Sequence, residues 1–367
     1  MSKTRFSQLD PACGAGCPRS VSSSDYMEQF SDSMAWLAKP DGSVVVGHGP
    51  FAESAEPSTQ GVSFHVQDFA LRDERPWKTP SRFERMKISE LAARFQNAPP
   101  LSCRWDPLDA VPFSVAFQEV MTAIHQGTFE KTVPVVTETG TANQPAGRSI
   151  IAAMTRQAAP LHSYGWVHGN SGFAGATPEL LFSLDGNQLA TMALAGTARS
   201  DDQEVFAVDE KEIREHEYVA QTLVSKLLKL GSIERQSREI LNLGSIVHFL
   251  TTISLTLESP LTADDLLRRL HPTPALGPLP RTAETLARLF DWRQRLDCPS
   301  EFGAPFGLWD HGKFDAVVAI RGIWWRDEKV MLPAGCGIIE ASRLVNEWRE
   351  LRLKRESVKQ FLSHRQP

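Results

Sequence analysis

A run of apolar residues, Ala316-Val317-Val318-Ala319-Ile320, stops at Arg321 and restarts as Gly322-Ile323-Trp324-Trp325. A second strand-like run leads into Ala334-Gly335-Cys336-Gly337-Ile338-Ile339. A helix is expected from about Ser342, whose hydroxyl is a suitable N-cap. On it Glu347, Glu350 and Lys354 fall at i, i+3 and i+7, a single stripe. A Gly-rich turn running into a helix with two carboxylates and an amine on one face makes half of an anion-and-metal site. The rest of the chain has to supply the other half and the strands that flank it.

Length does not settle the domain count: 367 residues suit two average domains or one large one. With 39 basic against 44 acidic residues and no basic block, nucleic acid is excluded as the main partner. Cys13, Cys17, Cys103, Cys298 and Cys336 are odd in number and scattered, which fits a reducing cytoplasm. Cys13 and Cys17 lie in a Gly/Ser/Pro-rich stretch without two further ligands nearby. The first residues have no apolar core of signal-peptide length, and apolar runs elsewhere are too short to span a bilayer. The expectation is a cytoplasmic protein with a loose tail over residues 1–25 and a single domain over 26–367.

Along the chain, Gly42–Gly47 and Val62–Val66 suggest small antiparallel strands, and Ile88–Phe95 a helical patch. Phe113, Val115, Phe117, Val120 and Ile124 mark a helix that Gly127 stops, and Glu130–Val136 reads as a strand with Lys131 near its start. Glu179 follows Pro178 and precedes an apolar strand; it is either a turn carboxylate or an acid held at a rigid corner, where burial would raise its pKa. Ala195-Gly196-Thr197 is a small-residue turn whose backbone can approach a ligand closely. A long helix spans about Asp209 to Leu230, with Glu212 and Glu215 sharing one face. His248 sits inside an apolar, strand-like run over Ile246–Leu250, where a satisfied core histidine is the ordinary reading. Helices are expected over 262–270 and Thr282–Asp291, with a Pro-rich turn between them.

Each of these features is weak alone, but their order is not. Lys131 after Phe-Glu is followed by Gly175-Ala176-Thr177-Pro178-Glu179-Leu180-Leu181 and Leu194-Ala195-Gly196-Thr197. Then come Lys211-Glu212-Ile213-Arg214-Glu215-His216 and His271-Pro272-Thr273-Pro274-Ala275-Leu276-Gly277. Ala319-Ile320-Arg321 and the Ala334–Ile339 turn with Glu347, Glu350 and Lys354 complete the series. The series, over about 113–362, resembles the chorismate-utilising enzymes, which include isochorismate, salicylate, anthranilate and aminodeoxychorismate synthases. The resemblance implies an α+β fold, two packed antiparallel β-sheets with helices outside, and a magnesium-dependent site in a cleft.

The chemistry implied explains the residue types. Chorismate carries two carboxylates, so its site needs a divalent cation and fixed donors. Magnesium prefers oxygen ligands, which suits glutamates. By resemblance Glu215 and Glu350 are the direct or near-direct Mg²⁺ ligands, with Glu212 and Glu347 supporting them. The ion would hold the ring carboxylate, helped by backbone N–H groups of the Gly335–Gly337 turn. Arg321 is suited to clamp the enolpyruvyl carboxylate bidentately, and Lys354 adds charge beside the metal. Thr197, His248 and Ala275 complete the implied substrate contacts. Lys131 resembles the family's base and Glu179 its acid, for addition of a nucleophile at C2 with loss of the C4 hydroxyl.

Three positions bear on the branch. Ala195 stands where aminodeoxychorismate synthases often have a nucleophilic Lys. Glu217-Tyr218-Val219-Ala220-Gln221 does not match the segment after Glu-His in anthranilate synthases, so water is the expected nucleophile and no amidotransferase partner is expected. Ala275 stands where salicylate synthases tend to have Thr. The resulting expectation is an isochorismate synthase, with a salicylate synthase or a chorismate-binding protein without turnover as alternatives. The chain departs from the family pattern at Val136, Pro278 and Phe302, where a basic residue, a glycine and a tyrosine are usual.

Overall fold

The computed structural model describes residues 33–157 and 159–363; the tail read over 1–25, with Cys13 and Cys17, lies outside them. Strand Ser33–Ala38 shows how the chain builds its layers. Ala35 and Leu37 enter one core cluster, whereas Met34, Trp36 and Ala38 enter another. Alternate side chains point to opposite faces of a sheet, so a strand buried on both sides reads as an unbroken apolar run.

Among the described residues, seventeen strands join in one hydrogen-bonded path. Gly231–Arg235 and Glu239–Asn242 both pair with Ile246–Leu257, and the path continues through Gln188–Arg199, Leu180–Asp185, Lys313–Val318 and Pro305–Asp310. It then crosses Val62–Val66, Trp77–Lys87, Ser43–Ser54 and Ser33–Ala38. Beyond these lie His162–His168, Ser171–Thr177, Gly322–Arg326, Lys329–Gly335, Val135–Ala142 and Cys103–Trp105. Every one of these pairings is antiparallel. The path folds over, so its two halves face each other across one aromatic core: the Phe306 ring lies 5.5 Å from Tyr164 and 5.9 Å from Phe173. The expected class, packed antiparallel layers with helices outside, is therefore what is observed. The layers are continuous because four N-terminal strands bridge them.

The helices described are α1 (Ile88–Arg94), α2 (Val111–His125), α3 (Gly147–Thr155), α4 (Gln203–Phe206), α5 (Glu210–Leu227), α6 (Ala263–Leu270), α7 (Ala283–Arg295) and α8 (Leu344–Ser363). Three of their starts follow from side-chain caps: Asp209 accepts from the Lys211 and Glu212 amides, and Thr262 and Thr282 each form a capping box. Gly127, at φ +74°, lies just past the end of α2. Among the described residues no helix is long and apolar enough to cross a membrane.

Several boundaries differ from expectation. The strand read over Glu130–Val136 is two pieces, Lys131–Thr132 and Val135–Ala142, because Pro134 has no N–H to continue a ladder. The run to Ile320 ends as a strand at Val318, since Arg321 adopts a left-handed φ of +56° and turns the chain. Ser342 is not the cap expected: its hydroxyl accepts the Ile339 amide, and α8 begins at Leu344.

Candidate functional site

Two helices and one lysine define the acidic part of the site. Glu212 and Glu215 project from the first turns of α5, and Glu347 and Glu350 from those of α8. The Lys211 ammonium stands between them, 2.9 Å from Glu212 Oε1, 3.0 Å from Glu215 Oε2, 3.4 Å from Glu347 Oε1 and 3.9 Å from Glu350 Oε2. Glu212 also accepts the Thr197 amide at 2.8 Å, which fixes the Gly196 turn to α5. Burial, together with Glu350 and Glu215, pushes Glu347 up to about 8, and Lys211 only partly offsets this. Glu215 is the opposite case. Burial opposes its charge, but Lys211, Lys131 and Lys354 outweigh it and hold Glu215 at about 2.

Behind this cluster is a cavity of about 60 Å³ lined by Glu179, Thr197, Glu215, His248, Ala275, Arg321, Gly335, Gly337 and Lys354, among others. Glu179 sits where Pro178 interrupts the strands Ser171–Thr177 and Leu180–Asp185, and its carbonyl accepts the Val318 amide at 3.0 Å. Its carboxyl is buried, and burial raises its pKa to about 7 against the pull of Lys131, Lys354, Arg321 and the Thr273 hydroxyl. It is therefore a corner carboxylate placed among cations, half protonated near neutral pH.

Arg321 is buried, and burial lowers its pKa to about 10, so it remains a cation. Its guanidinium donates to Ser357 Oγ on α8 at 2.9 Å and to His248 Nε2 at 2.8 Å. His248 Nδ1 in turn lies 2.7 Å from the Gly196 carbonyl, which can only accept. His248 must then be neutral, with its proton on Nδ1; burial and the Arg321 charge hold its pKa well below the ordinary value. His248 thus orients Arg321, and it also lines the cavity. Lys354 donates to the Gly335 carbonyl at 2.9 Å and pairs with Glu350 at 2.6 Å.

Lys131 is fully buried. Its short strand pairs with Ile338–Ile339, and its ammonium reaches the Pro274 carbonyl and, at 3.3 Å, Glu215 Oε1. Gly337 makes this approach possible: a Cβ there would stand 1.9 Å from Glu215 Oε1 and 2.8 Å from Lys131 Cε.

All thirteen residues singled out from the sequence lie in or beside these two compartments. Glu212, Glu347, Glu350 and Lys211 line a more open cleft of about 760 Å³, and Thr197 lines both the cleft and the inner cavity. Lys131 is set behind the cavity wall, next to Glu215. Sequence reasoning assigned no role to Lys211, Thr273 or Ser357. The i, i+4 spacing of Lys211 to Glu215 was a usable signal; nothing local marks Thr273 or Ser357.

The donor set suits magnesium in kind. It is all carboxylate oxygen, and Glu347 Oε2 is buried without a hydrogen-bond partner. Among the described residues no three His, Cys, Asp or Glu side chains are grouped so as to hold an ion as they stand. The point on which the carboxylates converge is taken by the Lys211 ammonium.

A sequence family described as chorismate binding enzyme matches residues 12–363. Isochorismate synthase EntC of Escherichia coli K12 is 34% identical over 194 residues, 49% of this chain and 48% of that protein. The salicylate biosynthesis isochorismate synthase of Pseudomonas aeruginosa is 29% identical over 257 residues, 67% of this chain and 53% of that protein. The chain spans about half the length of the curated relatives it matches. Among solved structures, an isochorismate synthase of Bacillus anthracis, DhbC, superposes with a TM-score of 0.76 at 19% identity, covering 93% of this chain and 99% of the other. At that identity the likeness concerns the fold.

Proposed function

Because the chain belongs to the chorismate-binding enzymes, we propose that it is a magnesium-dependent isochorismate synthase, acting without an amidotransferase partner, with residues 26–367 as its single domain. The observation that carries this reading is the inner cavity. One acid with a pKa near neutrality, one oriented guanidinium and one lysine converge there, beside a cluster of four carboxylates. A dianionic, ring-bearing substrate needs that combination. The relatives named for isochorismate synthesis support the same branch.

In the reaction, a water oxygen bonds to C2 of the ring, the double bonds shift, and the C4–O bond breaks. Lys131, acting as the neutral amine, takes the proton from the attacking water and Glu179, acting as the protonated acid, gives one to the departing hydroxyl, so atoms and charge balance. Arg321 holds the enolpyruvyl carboxylate, aimed by His248 and Ser357. Glu215 and Glu350, with Glu212 and Glu347, would hold the ion, which when bound neutralises and orients the ring carboxylate. Lys354 keeps positive charge at the Gly335 turn.

Purified protein given chorismate and Mg²⁺ is expected to form isochorismate, followed by chromatography, and chelation is expected to stop it. Salicylate with pyruvate as main products would reassign it to the salicylate branch. Binding without product would leave a chorismate-binding protein.

A further inference from the structure

Lysine is unfavourable in the first turn of a helix, where the dipole repels a cation. Lys211 is the second residue of α5, so something other than the helix dipole fixes its side chain. That something is four carboxylates from two helices, all within 3.9 Å of its ammonium. An exposed ion pair needs one partner; this side chain, with only 18% of its surface accessible, has four. Lys131 and Lys354 approach the same cluster from the cavity side and are each held by a backbone carbonyl as well, of Pro274 and Gly335. Among the described residues the Lys211 ammonium has no such carbonyl bond. Carboxylates hold it, and it lines the open cleft.

We infer that Lys211 is a built-in counter-ion that occupies the divalent-cation position of the free protein and swings into the cleft when the cation enters. This rests on the metal reading above. Magnesium binds carboxylate oxygens at about 2.1 Å, so it cannot share the centre of the cluster with an ammonium already in contact with the same oxygens. The cleft of about 760 Å³, which Asp202 and Glu356 also line, gives the flexible stem room to move. Such a lysine keeps the carboxylates together without metal and weakens the ion's hold on the free protein, because the competent arrangement must first be freed.

Two measurements test this on the full chain after chelation, with Mn²⁺ as probe. Amine acetylation of the wild-type protein, read by peptide mass spectrometry, should rise at Lys211 by about tenfold on saturation with Mn²⁺ while Lys131 stays protected. Unchanged labelling of Lys211 in protein that demonstrably binds Mn²⁺ overturns the inference. In Lys211→Met, Mn²⁺ affinity measured by the free-ion spin signal should rise by about tenfold or more; equal or weaker affinity counts against it. If neither protein binds Mn²⁺, the metal reading itself fails and the lysine inference goes with it. The labelling experiment needs no variant, so a misfolded Lys211→Met does not leave the question open.

Discussion

Glu179 has a pKa raised from 4.5 to about 7 chiefly by burial. A general acid must hold its proton, so turnover should fall as pH rises through about 7. Glu179→Gln should lose about 10²–10⁴-fold in kcat while keeping its circular dichroism spectrum. Near-normal turnover in this variant would remove Glu179 from the proton-transfer step. The same shift has a stability signature. Between pH 4.5 and about 7 the native carboxyl retains a proton that the unfolded chain has released, so this group's contribution to stability falls as pH rises through that window. In thermal unfolding, Glu179→Gln should therefore gain stability relative to the wild type as pH rises from 4.5 to about 7. Gly337 makes a second residue-scale prediction. Gly337→Ala should cost about 2 kcal/mol or more in denaturant unfolding, because the new methyl meets both Glu215 and Lys131. A wild-type midpoint would show that the turn has slack. Gly337 stood out locally as part of a Gly-rich turn, whereas Glu179 was tied to a role only through the order of motifs. Nothing local distinguishes Glu179 from any other carboxylate after a proline.

The helix α8 works as an anchor for the site. Glu347, Glu350, Lys354 and Ser357 all point inward from it, and its far end is tied to strand Val135–Ala142. There Glu138 pairs with Arg355 at 3.2 Å and Lys359 at 2.6 Å. Arg355 is buried, so Glu138→Ala would strand its charge at a cost of about 3 kcal/mol. Unfolding should begin at lower denaturant, and KM for chorismate should rise more than kcat falls, since groups proposed to hold the substrate ride on this helix or bond to it. The stripe Glu347-Glu350-Lys354 was legible from spacing alone, as was the Glu212-Glu215 pair. Their burial was not, because paired helix carboxylates are ordinarily solvated; facing helices and the lysines between them make the exception. The boundary differences have local causes. Pro134 cuts a strand that composition favours, and Ser342 commits its hydroxyl to the preceding turn.

The whole molecule depends on strands whose purpose the sequence did not reveal. Residues 33–87 hold four strands, and among the described strands these alone connect the half of the path ending at Pro305–Asp310 with the half beginning at His162–His168. Glu212, Glu215 and His248 belong to the first half, and Val135–Ala142 and Gly335 to the second. A chain beginning at residue 108 should therefore lack a single cooperative thermal transition, although it retains every motif of the site. Cooperative unfolding of that fragment would show that the bridge is dispensable.

The amino-acid sequence by itself determined which residue types stand where: glutamates at helical spacing, glycines at turns, a lysine and an arginine beside short strands. Those follow from local periodicity and from the limited ways a turn or cap can be made. The tertiary structure alone decided their chemical state. Whether a carboxyl is neutral or charged depends on how much water is removed and which cations are brought near. That is set by strands and helices that meet only because the sheet folds over on itself. Glu179 near 7 and Glu215 near 2 are the same side chain in two such settings.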